Sequence, residues 1–425
     1  NILTIRTVIS VLMVALAVVA AFFIPQYQGT RVALGVALAG IAAIFNMLTS
    51  TISTVLQVHL KMQYNSLASV GGKFITVGYM ILIIFVLHPT NKIDGFYHLI
   101  FGGILGSGTM LLMTYYYSSK LTKIRYRIDL EFWKDVIVKA LPYGLAVVLN
   151  TVYFRIGSVL LSLMKTPADV GIYGVPMRIL ETIGIIPLYF MNAVLPVLTR
   201  SLNKKDGSHQ KIIQYAFDFL VMGSVPIVAG VIVLAYPIIY IISTPEFLSN
   251  LSIGFYGSDI ILGILIFASA FSFINSLFGF ILVASNHQMK LLTRNAFGAL
   301  LTIILNLIFI PYYGVRAAAF TTVITELYVM LASFIIARHY ISFKIRLKNS
   351  AKIIFSATIM AIFIYLLRDF TYQFLQNKNV FVLIPLGVIV YAATLLLTGT
   401  INKEMLSLIK KPKQIPVTDI DAPQV

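Results

Sequence analysis

Cysteine is absent from all 425 residues, which excludes disulfide stapling, thiolate metal sites and cysteine nucleophiles together. Charge is scarce too: Asp, Glu, Lys and Arg supply 11% of the chain, with 15 acidic residues against 32 basic ones. A net charge of +17 invites a nucleic-acid reading, but such a face needs basic residues gathered on one folded surface. Here they fall in short gaps between apolar runs, so no nucleic-acid partner is expected. The six histidines, His59, His88, His98, His209, His287 and His339, are widely spaced and form no HExxH pair. No metal site is expected from them. No nucleophile elbow or repeated acidic pair points to hydrolysis or glycosyl transfer, so neither an enzymatic activity nor a cofactor is expected.

Apolar residues are plentiful. They make up 59% of the chain, where a soluble domain carries about 45–50%, and the mean hydropathy is +0.92. Only a helix or a closed barrel satisfies its backbone inside lipid, and ~20 helical residues cross the hydrocarbon. The expected fold is therefore all-α, a polytopic integral membrane protein with 12 transmembrane helices in this chain. They are placed at 2–24, 32–56, 67–87, 96–117, 138–163, 169–198, 213–242, 256–283, 291–311, 315–337, 350–367 and 380–399. The first is as long as a full span and is followed by another, so it is not a signal peptide. Pro187, Pro196, Pro226 and Pro237 fall within or near the ends of these segments and are expected to kink them.

Twenty of the 32 basic residues lie in alternate gaps and the tail: 57–66, 118–137, 199–212, 284–294, 338–349 and 400–425. Basic residues stay on the cytoplasmic side, so both ends of this chain are expected inside the cell and the gap 243–255 outside. An internal similarity adds to this. Phe45-Asn46 leads to Gln57 and Lys61, and Ile274-Asn275 leads to Asn286 and Lys290, with fifteen residues from Asn to Lys in both cases. The offset is six helices, as a duplicated six-helix lobe would produce. The expected organisation is an amino-terminal lobe at 1–117, incomplete with four helices, and a cytoplasmic linker at 118–137. A carboxy-terminal lobe at 138–337, a further helix pair at 338–399 and a cytoplasmic tail at 400–425 complete it. On this pattern two helices are expected upstream of Asn1, giving a parent with fourteen.

Several motifs then resemble a family. Leu141-Pro142-Tyr143, Asp169-Val170-Gly171-Ile172-Tyr173-Gly174, Met177-Arg178-Ile179-Leu180-Glu181 and Leu195-Pro196 resemble the start of the second lobe in polysaccharide-type flippases. The run Asn306 to Ala319, with Thr322 and Glu326 after it, does so as well. These belong to the multidrug, oligosaccharidyl-lipid and polysaccharide exporter superfamily, and the resemblance is to its O-antigen branch, without that branch's first two helices. Arg155 departs from the pattern, standing where the family often has an acidic residue. The resemblance implies two lobes around a central cavity open to one side at a time, in a plasma membrane. It implies a polyprenyl-pyrophosphate-linked oligosaccharide as cargo, with membrane lipid as a partner and membrane proteins of glycan assembly as further candidates.

A charge inside a membrane helix costs about 2.5–3.5 kcal/mol on insertion scales, so each needs a partner, water or a function. Arg155 lies mid-helix, and its guanidinium could hold a pyrophosphate or acidic sugar through two hydrogen bonds, or an ion pair on a neighbouring helix. Lys73 could contact substrate or snorkel toward the interface. Arg178 and Glu181, three apart, have the spacing of a local ion pair, with substrate contact by Arg178 as the functional reading. Asp218 and Glu326 are the candidates for ion coupling. Asn46, Asn150, Asn192, Asn275 and Asn306 could bond sugar hydroxyls or bond one another's helices; Asn150 and Asn275 are carried as substrate-binding candidates. Gly102, Gly103, Gly106 and Gly108 lie inside a span and are expected to allow close helix packing. Two other functions compete with flipping: an organic-cation antiporter of the same superfamily, and a membrane-embedded glycan polymerase or acyltransferase. The second would need a large outer loop or an intramembrane His or acidic centre.

Overall fold

A computed structural model describes residues 1–24, 32–59, 61–87, 92–122, 128–204, 207–287 and 289–400. Every extended element in it is a helix. The chain divides into two compact units, Asn1–Gly144 and Leu145–Val425. The first holds α1 (Ile2–Phe23), α2 (Val32–Val58), α3 (Met62–Leu82) and α4 (Lys92–Ser119), and the boundary falls within α5 (Leu130–Met164). The second holds α6 (Pro167–Ile183), α7 (Ile185–Lys204), α8 (His209–Ile242), α9 (Ser258–Ala284), α10 (Met289–Tyr313), α11 (Val315–Tyr340), α12 (Lys348–Leu375) and α13 (Val380–Leu397).

Among the described residues, ten helical stretches are long and apolar enough to cross a membrane. The chain is thus a multi-pass membrane protein. Ten such stretches are described where twelve segments were expected. Lys348–Leu397 is one apolar helical stretch, which turns back at Gln376–Asn379, where Gln376 takes a φ of +49°, so that α12 packs on α13. The expected segment 138–163 falls in α5, where most side chains from 139 to 153 lie outside the described residues.

The expected helix 169–198 is two. A proline has no N–H for the carbonyl four residues earlier and its ring crowds that carbonyl. Pro187 imposes this on Ile183, and α6 ends there, with Gly184 alone between it and α7. The start of α6 is equally local in origin. Thr166 caps it by accepting from the Asp169 N–H at 3.3 Å, Asp169 accepts from the Thr166 N–H at 3.1 Å, and Pro167 occupies the first helical position.

The two units repeat one packing scheme. Helices α2 and α3 follow each other but pack chiefly on α4, and α9 and α10 likewise pack chiefly on α11. The junctions match as well. The Lys61 N–H bonds the Leu56 carbonyl at 2.8 Å and the Tyr64 N–H bonds that of Lys61 at 3.2 Å; His287 to Leu282, 2.8 Å, and Lys290 to His287, 3.0 Å, repeat them. These bonds align Lys61 with His287, three residues from the register that the Asn-to-Lys spacing suggests. The α3–α4 contact is close because glycines face each other: a Cβ at Gly72 would stand 2.6 Å from the Gly106 carbonyl oxygen. Gly106 thus serves helix packing, whereas a Cβ at Gly103 would meet open space.

Candidate functional site

The second unit contains a polar seam and, opening from it, a cleft. The seam joins α10 to α11. Asn306, fully buried on α10, donates to the Thr302 carbonyl at 2.9 Å and accepts from the Thr321 hydroxyl at 2.8 Å. One turn away, the Thr302 hydroxyl donates to that of Thr325 at 3.2 Å. Ala317 and Ala318, both buried and one turn before Thr321, keep that face of α11 small. Gly314 makes the corner between the two helices with a φ of +56°, a conformation that costs a residue with a Cβ. Residues four apart share a helix face. Thr321 and Thr325 therefore both turn to α10, and Thr322 and Glu326, one position on, both line the cleft. The Tyr173 hydroxyl on α6 and that of Thr322 lie 2.9 Å apart, tying α6 to the same place.

The cleft has a volume of about 300 Å³. Phe154 of α5, Met177 and Glu181 of α6, Ser269 and Ser272 of α9, and Thr322 and Glu326 of α11 line it, with further apolar side chains. A smaller recess shares Phe154, Met177, Thr322 and Glu326 with it and reaches Thr302 and Thr325 of the seam. The lining is thus largely apolar, with hydroxyls and two carboxylates. Such a surface offers apolar faces and hydrogen-bond partners together, as small-ligand sites do.

Arg155 meets this cleft through Glu181. Its Nη1 lies 2.8 Å from Glu181 Oε1, with the side chains 56% and 38% exposed. Exposed pairs of this kind contribute about 0–1 kcal/mol. Glu181 is therefore paired across helices with Arg155 and not with Arg178, whose spacing suggested a local pair. Arg178 is exposed and makes no ion pair among the described residues. Glu326 lies 6% exposed at the inner wall. The Asn150 side chain lies outside the described residues. Lys73 is exposed on α3, in the other unit, and has no ion pair among the described residues.

Asn275 and Asp218 have internal partners. Asn275 accepts from Arg294 Nη1 at 3.1 Å and from the Ser333 hydroxyl at 2.6 Å, and Arg294 also donates to Asn295 Oδ1 and to Ser333. This knot joins α9, α10 and α11. Arg294 escapes sequence reading because 284–294 counts there as a gap; α10 begins at Met289, so Arg294 is inside the helix and 9% exposed. The polar pair Arg294-Asn295 beside an apolar run was the available signal. Asp218, 3% exposed, accepts from Gln214 Nε2 at 2.9 Å and from Asn349 Nδ2 at 2.7 Å. It belongs to a staple: Gln210 and Gln214 of α8 accept the N–H groups of Lys344 and Arg346 at 2.8 Å each and hold the connector between α11 and α12. Asn46 and Asn192 are exposed.

The arrangement defines a class of fold. A solved structure described as lipid II flippase MurJ in an inward closed conformation superposes with a TM-score of 0.71 and 16% identity, over 92% of this chain and 82% of that one. An inward-facing multidrug resistance MATE family transporter of the MOP superfamily gives 0.65 and 14%, over 80% of each chain. A MOP superfamily transporter from Pyrococcus furiosus, whose description notes a reversed polarity of its binding pocket, gives 0.56 and 16%, over 79% and 76%. The fold is thus the one these transporters share. More particularly, residues 1–202 match the model of a family described as polysaccharide biosynthesis protein. No curated protein matches the chain by sequence.

Proposed function

We propose that this protein is a flippase, carrying a polyprenyl-pyrophosphate-linked oligosaccharide from the inner to the outer leaflet of a plasma membrane by alternating access, for cell-surface polysaccharide biosynthesis. The observation that carries this reading is the match of residues 1–202 to a polysaccharide biosynthesis family, on a chain whose fold resembles that of a lipid II flippase. In this reading Arg155 contacts the pyrophosphate, and the hydroxyls of Ser269, Ser272 and Thr322 bond sugar hydroxyls in the cleft. Arg178, Lys73, Asn150 and Asn275 are retained as candidates for substrate contact, the last through the knot it forms with Arg294. Glu326 is the first candidate for ion coupling and Asp218 the second. Both ends of the chain face the cytoplasm.

One observation favours a second reading. Glu181 and Glu326 place two carboxylates on a largely apolar cleft, which would suit an organic cation and hence an antiporter of the same superfamily.

Leaflet accessibility in proteoliposomes separates them. With a labelled polyprenyl pyrophosphate glycan, the protein is expected to expose unmodified glycan to the opposite leaflet, and Arg155→Ala to slow this at least tenfold while remaining folded. If no lipid-linked glycan moves but small organic cations are expelled against a proton gradient, the flippase reading falls and the antiporter replaces it.

A further inference from the structure

The Arg155 guanidinium is only partly used. It carries five N–H donors arranged as a fork. One contact, Nη1 to Glu181 Oε1 at 2.8 Å, is its whole set of polar partners among the described residues. Both side chains are open to a ligand, at 56% and 38% exposed. Glu181 also lines the cleft, as does Phe154, the neighbour of Arg155. A carboxylate held at a single point on an exposed guanidinium is a weak partner. An anion with two or more oxygens in reach of the fork binds more strongly, because bidentate charge-assisted bonds combine geometry with charge.

We propose that Glu181 is an internal competitor for Arg155: it occupies one corner of the guanidinium at rest, and a diphosphate that spans the fork must displace it. This rests on the reading of Arg155 as the pyrophosphate contact. A membrane presents many phosphodiester headgroups, each with one negative charge, and an uncovered guanidinium would collect them. Glu181 raises the threshold for every anion, so that a ligand with one charge is held off and a diphosphate, with more charge and more oxygens, crosses it. The position of Glu181 adds a structural consequence. It lies three residues before Gly184, where the helical run breaks below Pro187, so its release acts on the end of α6 next to that break.

The test is calorimetric titration of the purified full-length chain with inorganic pyrophosphate at low ionic strength, in wild type, Glu181→Gln, Arg155→Gln and the double variant. Removing a competing exposed pair tightens binding by about fivefold, the equivalent of ~1 kcal/mol. Glu181→Gln is therefore expected to bind about five times more tightly than wild type, and both variants lacking Arg155 to bind at least tenfold more weakly than Glu181→Gln. Arg155→Lys, which keeps the charge and loses the fork, is expected to fall between, and it serves if Arg155→Gln does not fold. Equal or weaker binding in Glu181→Gln overturns the proposal, as does tightening that persists without Arg155, or no binding by any form. Leaflet movement of lipid-linked glycan is scored separately, so a wild type that flips substrate while Glu181→Gln binds pyrophosphate no better ends this inference and leaves the flippase reading standing.

Discussion

Arg294 carries a full charge 9% exposed between apolar helices, and the side chains of Asn275, Asn295 and Ser333 accept hydrogen bonds from it there. Removing one acceptor from a buried charged donor costs about 1–3 kcal/mol. Asn275→Ala is expected to lower the thermal unfolding midpoint in detergent measurably, whereas Asn46→Ala, at an exposed position of the other unit, leaves it unchanged. Equal behaviour of the two would mean that the knot adds nothing to stability. Asn275 was singled out from the sequence, but its partners were not. Arg178 and Glu181 have the spacing of a helical pair, yet the cross-helix approach of Arg155 gives Glu181 its partner.

Among elements, the helices themselves were legible from hydropathy, and their joints were less so. The break between α6 and α7 follows from Pro187, but it falls four residues upstream of the proline, at the carbonyl the ring crowds. The glycines of α4 announce close packing as a group; only the structure separates those that make it and supplies their partner, Gly72 of α3. Gly72→Ala would place a Cβ 2.6 Å from the Gly106 carbonyl oxygen, and Gly103→Ala would meet nothing. Overpacking of this kind costs about 1–3 kcal/mol. Gly72→Ala is thus expected to lower the unfolding midpoint and Gly103→Ala to leave it level or raise it slightly, since alanine is the better helix former. A reversed order in the same thermal assay would contradict the α3–α4 geometry.

For the whole molecule, the distribution of basic residues makes a prediction about sidedness. The gap that includes Ser252 has no Lys or Arg, and the connector that includes Ser342 is flanked by Arg338, Lys344, Arg346 and Lys348. The chain has no native cysteine, so an introduced one is labelled without background. Ser252→Cys and Ser342→Cys, both at exposed positions, are expected to react with an impermeant maleimide differently. The first is labelled in intact cells, the second only after permeabilisation. The opposite pattern would invert the orientation and place both ends outside.

Sequence by itself determined that this is a multi-pass helical membrane protein, because the free energy of burying apolar residues in lipid is local and additive along the chain. It also carried the local signals of helix ends, since capping residues, prolines and glycines act within a turn or two of where they stand. Tertiary structure alone decided which polar residues meet. Asn306 pairs with Thr321, Asn275 with Arg294, and Arg155 with Glu181, from positions 15, 19 and 26 residues apart. Inside an apolar bundle a polar side chain takes whichever partner the helix crossing brings within reach, and that crossing is set by packing along the whole length of both helices.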